Sequence, residues 1–450
     1  MKKINLLTVL IILTATVVAQ PKKATSTNQL IGGVSVEQIK KLVDAESQYL
    51  TDIFKDFHAN PELPFMETRT AGIVAKELKS YGFNVMTSIG ITGVVGVFKN
   101  GEGPTVMYRA DMDCNSVKEI TGLPYASTKT MKNADGIEVP VMHACGHDAH
   151  TTWMLGVAKV MMQLKDKWKG TLVMVGQPAE ENGFGADTMA NEMYKKGVPV
   201  PDYLLGMHTA PVGLGLYLNR HGDRMAAAVQ LDATFKGVGG HGSQPQDTKD
   251  PVVMAANAII QYQTIISRNM DPQRPAVLTV GAVQAGIDNN VIPAEAVLKI
   301  NLRSYQERDK EMMIAGIKRV NEGIAVANGL PKELYPELHI KQNLGVLSNN
   351  KELVDKIEPG LEKIAGPDKN LVFPPVMGSE DFQQLVKDHP SSKYAYVLLG
   401  IANQEVFQAT VKKGGFFPFT NHNPDFQVDL AAIPFGAKMG VAMVLEAFKK

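Results

Sequence analysis

Apolar residues recur at helical spacing over residues 36–57 and again over 70–78, where Tyr81-Gly82-Phe83 supplies a stop. Short β-rich runs follow at 94–98, 105–108, 172–175 and 203–207. Between the second and third of these the spacing predicts a helix over about 151–164, with Trp153, Val157, Val160, Met161 and Leu164 on one face. Strands alternating with helices indicate a mainly parallel α/β sheet. The pattern changes after Arg224. An alternating run at 229–235, a helical stretch at 251–268, two strands at 276–283 and 296–303 and a helix over 310–327 spell a β-α-β-β-α order. That order suits a small α+β domain with an antiparallel sheet. From about 343 the chain reads as helices and loops, ending in a helix near 431–448. The simplest organisation is one α/β domain, residues 36–227 and 343–450, split by an inserted α+β domain over 228–342.

The first residues stand apart. Lys2 and Lys3 precede an apolar run over 6–18 that ends in Val17-Val18-Ala19, with small residues where a signal peptidase cuts. The run is short for a spanning helix, which needs about 20 residues. A signal peptide over 1–19 is therefore expected, and with it export to the periplasm or the exterior and no membrane attachment after cleavage. Composition narrows the partners. The 450 residues carry 46 Lys plus Arg against 46 Asp plus Glu. Without a basic excess the chain lacks the field that phosphate-rich nucleic acid or anionic membranes require. With 44% apolar and 20% charged residues it is too hydrophobic for disorder. Two cysteines, Cys114 and Cys145, exclude a disulfide framework.

Three apolar strands run directly into ionisable residues: 105–108 into Arg109-Ala110-Asp111-Met112-Asp113, 172–175 into Gln177-Pro178-Ala179-Glu180-Glu181, and 203–207 into His208. In a parallel sheet those C-terminal ends share one edge, where ligands of open α/β sheets bind. Between them lies Met142-His143-Ala144-Cys145-Gly146-His147-Asp148-Ala149-His150, at the start of a helix. A single cysteine is ordinarily a small core residue and paired glutamates a solvated loop. Thiolate, imidazole and carboxylate gathered at one edge instead suit Zn²⁺ or a similar borderline cation. A cation between Glu180 and Glu181 would relieve their mutual repulsion, leaving one to bind metal and the other to take a proton from water.

These segments resemble the M20 metallopeptidase family, within it the amidohydrolase branch of N-acyl-amino-acid, hippurate and auxin-conjugate hydrolases. The matching stretches are FHANPELPFMETRT (57–70), YRADMD (108–113), MHACGHDAH (142–150), QPAEEN (177–182), GMH (206–208), GVGGHGSQP (237–245), NVIP (290–293), GSEDF (378–382) and NHNPDF (421–426). The resemblance implies a dinuclear metallohydrolase with an inserted lid that forms a homodimer. It implies two divalent ions per subunit, zinc first and manganese, cobalt or nickel as alternatives, held by Cys145, His147, Glu181, His208 and His422, with Glu180 as general base. It further implies that His241 reaches the reacting carbonyl, often from the partner subunit, and that Asn290 and Arg303 hold the substrate carboxylate. Asp113 is expected to orient a metal-bound group rather than to bind metal. His58, Glu62 and Glu67 are expected to be structural.

The implied activity is cleavage of an N-acyl amino acid or similar small amide, with a carboxypeptidase or dipeptidase, or a non-catalytic metal or peptide binder, as alternatives. Cys114-Asn115-Ser116 after YRADMD, and Gly286-Ile287-Asp288-Asn289 before NVIP, depart from the family pattern near the expected substrate region. The thiol of Cys145 is wanted by metal, so a Cys114–Cys145 disulfide would inactivate the protein rather than staple it.

Overall fold

The computed structural model describes residues 29–449; the signal peptide expected over 1–19 lies outside the described residues. Besides short two-stranded ribbons, six strands of the main sheet come first: β1 (Asn84–Ile89), β2 (Gly93–Asn100), β3 (Thr105–Asp111), β4 (Gly170–Gln177), β5 (Tyr203–Gly213) and β6 (Tyr217–Leu218). Four more, β7 (Ala227–Lys236), β8 (Ala276–Ala285), β9 (Glu295–Ser304) and β10 (Glu337–Leu344), form a separate sheet before β11 (Lys393–Ala402) returns to the first. The seven-stranded sheet has the order β6-β11-β5-β3-β4-β2-β1. Its four central strands are parallel, and both margins are antiparallel. The α/β class and parallel centre match the sequence expectation. The antiparallel margin follows from a short turn between β1 and β2, which leaves no room for a crossover.

The strand β11 was not expected in a region read as helices and loops. Its sequence, KYAYVLLGIA, is almost continuously apolar because both faces are covered, and such a run has no period of 2 to distinguish it from a buried helix. It pairs in parallel with β5 from Lys393↔Tyr203 onward.

Helix α1 (Val36–Ala45) and α2 (Ser47–Ala59) divide at Glu46 what the spacing joined into one helix, and α3 (Thr68–Tyr81) follows. Helix α4 (His147–Gln163) is buried almost all round, packed between β3 and the helices α2, α3 and the C-terminal helix Ala432–Phe448. Its Trp153 indole donates to the Ala432 carbonyl at 3.0 Å, which satisfies the polar edge of a fully buried ring.

The second sheet has the order β8-β9-β7-β10 and is antiparallel throughout. One face, with Val229, Leu231, Ala233, Phe235, Leu298 and Ile300, packs on the helices Pro251–Thr264 and Glu307–Ala327. Register puts the pairs Ala228↔Arg303, Ala228↔Leu344 and Gln230↔Gln342 on the opposite face, toward the first sheet. A two-stranded ribbon, Gly222–Met225 with Leu347–Asn349, links the two sheets. Among the described residues no helix is long and apolar enough to cross a membrane.

Candidate active site and metal centre

The C-terminal ends of β3, β4 and β5 converge. Helix α4 begins beside them because Gly146 adopts the left-handed conformation at φ 87°, turning the chain so that Cys145 lies just before the first turn and His147 within it. Thr209, after His208 on β5, clasps this turn. Its hydroxyl donates to the Cys145 carbonyl at 2.7 Å, and its backbone N–H donates to His150 Nε2 at 2.9 Å.

Two groups of donors share Cys145: Cys145 with His147 and His208, and Cys145 with Glu181 and His422. Within each group the ligand atoms all lie within 4.8 Å of one another. The hydrogen bonds fix which nitrogens face inward. His208 Nδ1 donates to the Thr209 carbonyl at 2.7 Å, which leaves Nε2 as a lone pair 3.4 Å from Cys145 Sγ. His147 Nδ1 donates to the Asp113 carbonyl at 2.9 Å, which turns Nε2 toward Glu180 and Glu181 at 3.9 and 3.8 Å. His147 Nε2 and Glu181 Oε1 are buried and have no hydrogen-bond partner among the described residues. Buried acceptors so close together are costly unless a cation satisfies them, and the sulfur, nitrogen and oxygen donors suit a borderline divalent ion. The residues therefore fit a metal. Asp111 and His150 are already engaged: His150 donates to Asp111 at 2.6 Å and accepts from Thr209, so neither of its nitrogens is free to ligate.

Ala179 adopts φ 53°, a conformation uncommon for a non-glycine residue, and turns both glutamates inward after β4. Glu67 holds this corner by accepting from the Ala179 N–H at 2.8 Å, and burial pushes its pKa up to about 7. Asp113 Oδ2 accepts from the Glu181 N–H at 3.0 Å, while its Oδ1 lies 3.1 Å from His147 Nδ1. Arg109, fully buried, donates to Asp111, Glu380, Asp381 and Gln177 and ties the strand ends to the GSEDF segment. Sequence reasoning gave Arg109, Glu380 and Asp381 no role, because their partners are distant in the chain.

The electrostatics divide the two glutamates. Burial and then the charges of Glu380 and Glu181 push the Glu180 carboxyl well above the usual carboxylate range. Burial opposes the Glu181 charge too, but His422 and His147 outweigh it and hold that carboxyl at about 2. Burial and Glu181 also oppose ionisation of Cys145, yet His208 and His147 bring the thiol down to about 6. The proximity of Cys145 and of Glu181, whose Oε1 lies 3.4 Å from His422 Nε2, raises His422 to about 10. His143 is buried with neither ring nitrogen bonded among the described residues, and burial lowers it to about 4. His58 bridges Asp148 at 2.6 Å and Glu119 at 3.2 Å beneath the site, and Glu62 accepts from the Arg69 and Thr70 N–H groups at the start of α3.

A cleft of about 510 Å³ opens from Cys145, Glu180, Glu181, His208 and His422 toward the second sheet. Arg303, Gln230 and Gln342 enter it from that sheet, and Leu218, Leu398 and Phe373 give it an apolar wall. Arg303 Nε donates to Asn301 at 2.9 Å, while Nη1 is buried without a partner among the described residues. Two expected residues are not brought to the cleft. His241 and Asn290 lie together on the ribbon pairing Gly240–His241 with Val291–Ile292, where the Gly242 N–H donates to the Asn290 carbonyl at 2.8 Å. Both are exposed and neither lines the cleft. Arg224, which sequence reasoning passed over, does line it.

Residues 107–446 match the family model of peptidase family M20/M25/M40. Hippurate hydrolase of Campylobacter jejuni is 38% identical over 352 residues, covering 76% of this chain and 86% of its own length. IAA-amino acid hydrolase ILR1-like 2 of Arabidopsis thaliana is 30% identical over 411 residues, covering 89% and 86% respectively. Among solved structures, the Bacillus subtilis YXEP protein, described as a dinuclear metal binding peptidase of family M20, superposes with a TM-score of 0.71 at 24% identity, covering 90% of this chain and 99% of its own.

Proposed function

The chain belongs to peptidase family M20/M25/M40, and on that premise we propose that it is a two-metal amidohydrolase that cleaves N-acyl amino acids, with Glu180 as the general base. The observation that carries this reading is the cleft itself. It joins a buried Cys, His and Glu cluster with unpartnered acceptors to an apolar wall and to an arginine with a free N–H. Hippurate is an N-acyl glycine, and the similarity to a hippurate hydrolase supports the substrate class.

Cys145, His147, Glu181, His208 and His422 would hold two divalent ions, zinc best matching the donors. Bound there, the ions lower the pKa of the attacking water and polarise the scissile carbonyl. Glu180 and Glu181 are adjacent, but their environments push their pKa values in opposite directions, and such a split marks acid–base roles. Glu181 stays ionised as a ligand. Glu180 takes the proton of the water and returns it to the departing amine. Asp113 keeps His147 in the tautomer with its lone pair on Nε2. Arg303 offers its unpartnered Nη1 to the carboxylate of the amino acid, fixing the amide over the cluster, and the apolar wall receives the acyl group.

His241 is too exposed to serve this cleft within one chain. We propose that it is delivered by the second copy in a homodimer formed through the inserted domain, where exposed Val291 pairs with it on the ribbon and Ile287 is exposed in the loop before. The same reading includes export to the periplasm or the exterior, supported by Lys2, Lys3 and the apolar run over 6–18. The substrate class is tested by comparing release of free amino acid from N-benzoyl and N-acetyl amino acids with release from unblocked dipeptides. Preference for the acylated substrates is the expected result; faster cleavage of dipeptides makes the protein a dipeptidase.

A further inference from the structure

Two arginines of this chain are 1% exposed, and the fold treats them oppositely. Arg109 is met by Asp111, Glu380, Asp381 and Gln177 at 2.6 to 3.1 Å. Arg224 has Nε, Nη1 and Nη2 all buried and all without a hydrogen-bond partner among the described residues. A guanidinium carries five N–H donors and keeps its charge, so burying it unpaired is among the costliest arrangements a core can hold. Arg224 lies on a strand of the ribbon that links the two sheets, and its backbone is fixed from the other side, since its carbonyl accepts from the Val376 N–H at 2.9 Å. Burial and then the charge of Arg220 act against it, outweighing the smaller opposing effect of Tyr305. Arg220 itself is anchored, donating from Nη1 to the Phe373 carbonyl at 3.1 Å.

Arg224 lines the same cleft as Cys145, Glu181 and Arg303, but it comes from the linking ribbon, whereas Arg303 comes from β9. Two arginines on separate elements, each with unpartnered N–H groups, call for two anionic groups on one ligand. We infer that Arg224 is a specificity-determining residue that binds a second anionic group, so that the preferred substrates are amides carrying two carboxylates. This rests on the amide-hydrolase reading, in which Arg303 takes the carboxylate of the amino acid. The second carboxylate belongs either to the side chain of an acidic amino acid or to a dicarboxylic acyl group.

The test compares kcat/KM of the metal-replete full chain for N-acetyl-L-glutamate, N-succinyl-L-leucine and N-acetyl-L-leucine, in the wild type, R224Q and R224K. One of the two diacids is expected to exceed the neutral amide, and which one it is identifies the source of the second carboxylate. R224Q should lower that diacid-to-neutral ratio by about 10- to 100-fold, and R224K should recover part of it through its charge alone. The diacid preference of the wild type decides the matter should R224Q fail to fold. Calorimetric binding of the same compounds to the E180Q protein gives a readout free of turnover. A protein that cleaves no amide yet binds the diacid in an Arg224-dependent manner refutes the amidohydrolase reading and keeps the anion site. Neutral amides cleaved normally by a wild type that prefers neither diacid, or a diacid-to-neutral ratio unchanged in R224Q, refutes the anion site alone.

Discussion

Glu180 and Glu181 are neighbours in sequence, yet one is pushed up by burial and the other held at about 2 by His422 and His147. If the first is the proton carrier and the second a ligand, substitution separates them. Glu180→Gln is expected to keep bound metal while lowering kcat by about 10²- to 10⁴-fold; Glu181→Gln is expected to lower metal content as well. Elemental analysis beside turnover measures both. A second residue reports on stability. Burial works against the charge of His58, but hydrogen bonds to Asp148 and Glu119 outweigh it and raise its pKa to about 9 from an ordinary 6.5. A group raised in the folded state stabilises fully below its unfolded pKa and loses that contribution as pH rises through the folded one. Urea unfolding should therefore show stability falling between pH 6.5 and 9, by about 3 kcal/mol from this residue, and His58→Gln should remove that slope. The donor residues were legible in the sequence because they crowd into short segments at strand ends. Arg109 and Glu380 were not, since 271 positions separate them and only the folded core makes them partners. Arg224 was illegible for the converse reason: its significance lies in having no hydrogen-bond partner among the described residues.

The start of helix α4 carries the most consequence per residue among the elements. Gly146 sits at φ 87°, and a Cβ there would come within 2.6 Å of the Thr209 side chain. Gly146→Ala therefore adds left-handed strain to a clash with the residue that clasps Cys145 and His150. It is expected to cost about 2 to 4 kcal/mol of stability and to weaken metal binding by about 10- to 100-fold, read by thermal unfolding and competitive zinc titration. Unchanged zinc affinity would mean that the turn does not set the ligand geometry. Strands β3, β4 and β5 were readable from apolar runs ending in charge. β11 was not, because a strand covered on both faces loses the alternation that marks one. The edge strand β1, NVMTSI, fails for the opposite reason, being largely polar and half-exposed.

At the scale of the whole molecule, the cleft lies between two sheets that are far apart in topology and joined by one ribbon. The sequence indicated the change from parallel to antiparallel order. Arg303 was expected at the site through the resemblance, but nothing indicated that the register would bring Gln230 and Gln342 into the cleft beside it while leaving His241 and Asn290 outside. Delivery of His241 from a second copy makes a specific prediction. His241→Ala and Glu180→Gln proteins, each impaired alone, should regain about a quarter of wild-type activity when mixed at equal amounts and allowed to exchange, because half the dimers then hold one intact site of two. Absence of complementation despite demonstrated exchange would place His241 outside the reaction. The central claim, that the Cys145, His147, Glu181, His208 and His422 cluster is a working two-metal amidohydrolase centre, is tested most directly by titrating chelator-stripped protein with zinc while following hydrolysis of N-benzoylglycine. The account predicts no turnover without metal and recovery that saturates at two ions per chain; full activity in the stripped protein would contradict it.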